Sequence, residues 1–214
     1  MLEKYNCSAP FEHLVLDDFL SDDLITRINN EFWDISDARW TTYGVPFYNE
    51  NSQKLQMYDL EKMPESIQDF YSICTADEFL KKMSKLSGIK IEKYSLFGAG
   101  MNVYGKAAAL KAHTDFNFND DIKAYRCLNL LLYLNKEWDT SHGGCLQLWS
   151  PDLKESLDIA PVSNRLVIFP TNNSTPHGVS EVSSGVQRRS LSLYYYSVDP
   201  PKGVSETPHR TVWK

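Results

Sequence analysis

The chain reads as mainly β with flanking helices, an antiparallel sandwich or jelly-roll barrel, and three observations predict this. After residue 88 the helical pattern gives way to short apolar or alternating runs separated by Gly, Asn, Asp or Pro. Too few helical stretches separate those runs for a doubly wound parallel sheet. The helical signals are gathered in the first 88 residues, where they can pack on the outside of a sheet.

Leu14, Val15 and Leu16 form a short apolar run that predicts a strand. Ser21, Asp22 and Asp23 then place a capping hydroxyl and early negative charge ahead of Leu24, Ile25, Ile28 and Phe32, which share one helical face. From Trp33 to Leu60 the periodicity disappears while aromatics persist, among them Trp40, Tyr43, Phe47 and Tyr48. That pattern predicts a long loop, either held on the core by its rings or, over residues 34–60, serving as a substrate flap. Glu65 to Tyr71 and Ala76 to Leu86 predict helices, the second stopped by Ser87 and Gly88. The predicted strands that follow are Ile89 to Phe97, Gly100 to Tyr104, Arg126 to Leu134, Gly144 to Trp149, Arg165 to Phe169 and Arg188 to Tyr196.

The 214 residues suffice for one buried core, and no linker-like stretch divides them. The expectation is a single domain over 1–214: residues 1–88 as helical and loop support, 89–198 as the β core, 199–214 as a flexible, Pro-rich tail. A net charge of -6 with no block of basic residues argues against a nucleic-acid surface. Cys7, Cys74, Cys127 and Cys145 form no CxxC pair, which points to reduced thiols and a cytoplasmic setting rather than a disulfide framework or a cysteine zinc site. No long apolar stretch reads as a leader or a membrane span.

The chemistry concentrates in a few positions. His113 and Asp115 are two apart, so on extended backbone both leave the same face while Thr114 points away. With the distant His177 they supply two imidazoles and a carboxylate, a set that can hold a divalent metal and leave positions open. By spacing alone the same residues fit ordinary polar positions at least as well. His142, in a turn, and His209, near the tail, have weaker cases. In the last strand Arg188, Ser190 and Ser192 share one face, with Arg189, Leu191 and Leu193 on the other. The first face can aim a guanidinium and two hydroxyls inward to clamp a carboxylate, or can form a structural ion pair.

These pieces, with Arg126 to Asn135, Trp138, Gly143 to Leu148 and Asn164 to Phe169, resemble in order and spacing the iron(II) and 2-oxoglutarate-dependent dioxygenases, most closely the prolyl 4-hydroxylase-like branch, over Gly100 to Tyr196. The resemblance implies a double-stranded β-helix core of the jelly-roll, cupin-like kind. It implies His113, Asp115 and His177 as iron ligands, Arg188 as the anchor of the distal carboxylate of 2-oxoglutarate and Tyr133 as its helper. Ser190, Ser192 and Tyr104 are further cosubstrate contacts, the last with its interval to His113 shifted by a residue. Implied cofactors are Fe(II) and 2-oxoglutarate, with ascorbate as an auxiliary reductant. The implied reaction consumes O2 and hydroxylates an unactivated carbon, giving succinate and CO2. The retained Asp115 favours hydroxylation over halogenation. The expected substrate is proline, in a peptide or protein or free. Alternatives are another amino acid or small metabolite, a catalytically silent binding module on the same fold, or a metallohydrolase.

Overall fold

The computed structural model describes residues 4–40, 54–183 and 185–214, and in it the second half of the chain folds into two facing antiparallel sheets. The larger follows the order β1 (Leu14–Leu16), β9 (Leu166–Pro170), β6 (Ala124–Tyr133), β11 (Arg188–Ser197), β3 (Lys93–Tyr104) and β2 (Lys54–Met57), with β5 (Phe118–Asn119) on one end of β6. The smaller follows β12 (Val212–Trp213), β4 (Leu110–Thr114), β10 (His177–Val179), β7 (Leu146–Trp149) and β8 (Ser156–Ile159). Together they form the jelly-roll core that the spaced strand signals predict.

Three α-helices among the described residues, α1 (Asp22–Glu31), α2 (Glu65–Thr75) and α3 (Asp77–Ser87), cover the outer face of the larger sheet. Ser21 caps α1, its Oγ accepting from the Leu24 backbone N–H at 3.4 Å, and Gly88 ends α3 at a φ of 67°. The two-residue period of the central strands divides the chemistry. Leu128, Leu130 and Leu132 of β6 and Leu191, Leu193 and Tyr195 of β11 pack outward against Ile28, Ile67, Phe70 and Met83. Each such fully buried side chain contributes roughly 1.5–3 kcal/mol. Buried hydroxyls tie the layers: Tyr71 donates to the Ser192 carbonyl at 3.2 Å and Tyr195 to the Cys74 carbonyl at 2.9 Å.

Several expectations need correction. The loop expected to run to Leu60 already contains β2, which pairs with β3 over Lys54 to Met57. Four residues with only two apolar side chains, Leu55 and Met57, make too short an alternation to show itself. Trp40 follows the first of the two alternatives for this loop: it is buried against Phe32 and Trp33 and donates from Nε1 to the Asp34 carbonyl at 2.7 Å. Tyr43, Phe47 and Tyr48 lie outside the described residues. The two strands expected between Ile89 and Tyr104 form one, β3, with a register shift opposite Ser192 and Tyr194 where Gly98 and Gly100 loosen the pairing. The expected free tail returns to the sheet as β12, pairing Val212 with Thr114 and Trp213 with His113. Asn117 staples it: its side-chain amide donates to the Ser205 and Thr207 carbonyls at 2.7 and 3.0 Å and accepts from the His209 N–H at 2.7 Å. None of the described helices is long and apolar enough to cross a membrane.

Asn164 locks the segment before α1 to the core. Buried, with a φ of 62°, it accepts from the Leu20 N–H at 2.8 Å and donates to the Leu20 carbonyl at 2.9 Å. Asn164→Ala should lower stability by about 1–3 kcal/mol from unsatisfied backbone groups, plus the strain of a left-handed alanine. Asn164→Gly should lose only the hydrogen bonds. Thermal melts of the two variants check this, and Asn164→Ala should melt lower than Asn164→Gly.

Candidate metal centre

β4 ends at Thr114, so His113 is its last inward ring and Asp115 hangs from the first residue beyond it. β10 sets His177 directly opposite His113, and the two imidazole centroids are 4.4 Å apart. The potential ligand atoms of His113, Asp115 and His177 all lie within 4.8 Å of one another, the one such group among the described residues. The Asp115 carboxylate spans both rings, Oδ1 at 3.5 Å from His113 Nε2 and Oδ2 at 3.4 Å from His177 Nε2. This close packing of β10 on β4 needs Gly178, where a Cβ would lie 2.6 Å from the Leu110 carbonyl oxygen.

The donor chemistry fits a metal. Each imidazole donates from Nδ1 to the carbonyl two residues before it, His113 to Lys111 at 2.8 Å and His177 to Thr175 at 3.1 Å. A carbonyl only accepts, so both rings carry their proton on Nδ1 and present the Nε2 lone pair to the cluster. Burial pushes His177 down to about 4, which keeps it a neutral ligand at pH 7. Burial alone would raise Asp115, but the Arg126 guanidinium and the two imidazoles overcome it and hold the carboxyl well below the usual range. Arg126 Nη2 sits 2.9 Å from Asp115 Oδ2, which also accepts from Asn129 Nδ2 at 2.9 Å. Asn129 Oδ1 in turn accepts from Arg126 at 2.7 and 3.1 Å, and the guanidinium lies 3.3 Å from the Tyr194 ring centroid. Two imidazoles and an ionised carboxylate on one side of a cavity are the facial donor set suited to iron(II) with open positions.

The same cavity, about 90 Å3, is lined further along by Tyr104, Arg188, Ser190 and Ser192. Arg188 is buried, donates from Nε to the Gly144 carbonyl at 2.6 Å and reaches Ser190 Oγ at 3.4 Å, yet no carboxylate pairs with it among the described residues. Gly144, at a φ of 66°, makes room, since a Cβ there would lie 3.1 Å from Arg188 Cδ. Tyr133 and Tyr104 flank the guanidinium, their ring centroids 5.0 and 5.1 Å from its carbon. The buried Tyr133 hydroxyl finds no hydrogen-bond partner, and burial pushes it up to about 12, so it remains a donor. A buried cation and a buried donor without acceptors call for an anion between them. Ser192 is committed elsewhere, accepting from Asn102 Nδ2 at 3.0 Å.

Sequence reasoning missed four participants. Arg126 and Asn129 stood inside a strand read for its leucines, although Asn129 interrupts that run on the inward face. Trp213, with its ring 4.9 Å from His113, sat in the expected tail. Lys54 reaches the cavity from a strand that was not expected at all.

Comparison with known proteins agrees with this geometry. Residues 99–196 match the family described as the 2OG-Fe(II) oxygenase superfamily. The chain is 28% identical over 216 residues to a Xenopus laevis protein named prolyl 3-hydroxylase OGFOD1, covering 95% of this chain and 39% of that one. It is 31% identical over 75 residues to human prolyl hydroxylase EGLN3, covering 35% and 30%. The chain therefore spans well under half the length of these relatives. Among solved structures, a Pseudomonas putida prolyl-4-hydroxylase superposes with a TM-score of 0.62 at 19% identity, covering 86% of this chain and 91% of that one. A Trichoplax adhaerens prolyl hydroxylase in complex with a hypoxia inducible factor peptide gives 0.61 at 21%, covering 86% and 83%. HygX of Streptomyces hygroscopicus, with nickel, 2-oxoglutarate and hygromycin B bound, gives 0.58 at 11%, covering 93% of each chain. At these identities the structural likenesses establish the fold.

The His177 shift sets a pH dependence of the metal-free protein. A histidine lowered from 6.5 to about 4 on folding contributes stability that is complete above 6.5 and is lost as pH falls toward 4. Chemical denaturation of metal-free protein between pH 7 and 4 should show this loss, about 3 kcal/mol in all. His177→Gln should flatten that part of the profile.

Proposed function

We propose, from the match of residues 99–196 to the 2OG-Fe(II) oxygenase superfamily, that the chain is an iron(II)- and 2-oxoglutarate-dependent dioxygenase that hydroxylates an unactivated carbon of proline, in a peptide or protein or free. The observation that carries the reading is the pairing in one cavity of the His113, Asp115 and His177 cluster with an arginine, Arg188, that has no carboxylate partner among the described residues. Names of relatives as prolyl hydroxylases, and the peptide in one structural neighbour, support proline and a peptide substrate.

His113, Asp115 and His177 would hold the iron, and Arg188 with Tyr133 the distal carboxylate of the keto acid. When bound, iron with 2-oxoglutarate supplies an O2-dependent oxidation of a C–H bond coupled to decarboxylation of the keto acid to succinate. The protein's part is to position and to exclude. Arg126 keeps Asp115 ionised and Asn129 fixes its carboxylate, so the donor is charged before any metal arrives. Carbonyl acceptors at Lys111 and Thr175 keep both imidazoles in the ligating tautomer. Trp213 and Phe169 pack against the two histidine rings, centroids 4.9 and 4.8 Å away, and shield their outer faces from water.

Iron-loaded protein incubated with 2-oxoglutarate, O2 and proline-containing peptides or free amino acids should give a product heavier by one oxygen and one succinate per product, read by mass spectrometry. Turnover only on an unrelated metabolite would remove proline from the reading, and no succinate with any substrate would favour a binding module. His113→Ala and Asp115→Ala should abolish succinate formation. Arg188→Met, which removes a charge-assisted clamp, should raise the KM for 2-oxoglutarate about 30-fold or more, equivalent to roughly 2 kcal/mol, in steady-state assays.

A further inference from the structure

The cavity beside the metal cluster is over-supplied with positive charge. Among its described lining residues are three cations, Lys54, Arg126 and Arg188, and one carboxylate, Asp115. Arg126 and Asp115 form an ion pair at 2.9 Å and balance each other. Arg188 and Lys54 then stand without a carboxylate within ion-pair distance among the described residues. The antiparallel registers put these two on one row across three neighbouring strands, Lys54 of β2 opposite Tyr104 of β3 and Tyr104 opposite Arg188 of β11. Both cations lie over the Tyr104 ring, the Lys54 ammonium 5.0 Å and the Arg188 carbon 5.1 Å from its centroid. The strand beneath Lys54 is held firmly. Gln56, the next inward side chain, donates to the Ala99 carbonyl at 2.7 Å and to Asn102 Oδ1 at 3.1 Å.

We propose that Lys54 is a second anion-binding residue of this cavity, its ammonium contacting a carboxylate of the bound keto acid alongside Arg188. The assignment rests on the reading of the site as a 2-oxoglutarate pocket. The distal carboxylate presents two acceptor oxygens, and a guanidinium and an ammonium on one row can each donate to it. Lysine suits the position because a compact ammonium on a flexible stem can follow a carboxylate that arrives only with the ligand. Burial works against the charge, but the Tyr104 phenol beside it works for it and leaves the ammonium above its ordinary value. Tyr104 thus acts as a shared platform that keeps two like charges apart while holding both near the ligand.

The test is calorimetric titration of the full chain, loaded with Mn(II) and without substrate, with 2-oxoglutarate and with 2-oxobutyrate, which keeps the keto-acid head and lacks the distal carboxylate. Lys54→Met and Lys54→Gln should each weaken 2-oxoglutarate binding by about tenfold, the scale of one charge-assisted contact, and Lys54→Arg should restore most of it. Loss for both acids would support the proposal with Lys54 at the head, and loss for 2-oxoglutarate alone would support it with Lys54 beside Arg188. Unchanged affinity for both acids in a neutral variant that melts like the parent overturns the role of Lys54 and leaves the reading of the site standing. Failure of the unaltered Mn(II)-loaded protein to bind 2-oxoglutarate overturns both.

Discussion

The buried contact between Asp115 and Arg126 is the interaction on which the arrangement of this molecule turns. Asp115 closes the end of β4 in the smaller sheet, and Arg126 and Asn129 belong to β6 in the larger one, so the pair joins the two sheets where the cluster lies. Burying two charges is expensive, and an ion pair of this kind contributes little net stability compared with apolar side chains of the same size. Its value lies in geometry and ionisation. Among the charges that hold this buried carboxyl ionised, the guanidinium is the largest contributor, ahead of the two imidazoles. The stacking of Arg126 on Tyr194, with Asn129 bridging, leaves the carboxylate essentially one place to be.

The polarity of the larger sheet follows from the same need. Its central strands spend every second residue on a helix-facing apolar layer and the alternate residues on a polar inner surface. The two halves support each other. Helices α1 to α3 bury enough surface outside that the sheet can tolerate an inner face carrying an arginine without a carboxylate partner and a tyrosine hydroxyl without an acceptor. Such groups are costly to the folded chain, and an anionic ligand held there, as proposed, would recover that cost. On the proposed reading, binding and stability are coupled at Arg188, Tyr133 and Lys54.

The chain's last residues complete the smaller sheet. β12 covers the outer edge of β4, and Trp213 backs the His113 ring from outside the cluster while the other imidazole rests against Phe169. Asn117, two residues beyond Asp115, anchors the returning segment through three hydrogen bonds to its backbone. The loop that carries a candidate ligand and the tail that shields another are thus fastened by one side chain. An unpaired edge on β4 would otherwise be exposed beside the cluster.

By itself the sequence determined the local and periodic features: the capped α1, the stop at Gly88, the β-rich second half, and the inward row of Arg188, Ser190 and Ser192 that alternates with Leu191 and Leu193. These depend on spacings of a few residues, which a linear reading can measure. It also marked His113, Asp115 and His177 as chemically matched, although spacing alone left them open between a metal site and ordinary polar positions. Only the tertiary structure decided that their ligand atoms converge, because that requires β10 to pair with β4 across more than half a hundred residues. It alone decided that β2 and β12 exist, since strands of four and two residues gain their stability from distant partners and carry almost no period. The partners of the site were set in the same way. Arg126 finds Asp115, Trp213 finds His113 and Lys54 finds Tyr104 through sheet register, and register is a property of the fold rather than of any local stretch of chain.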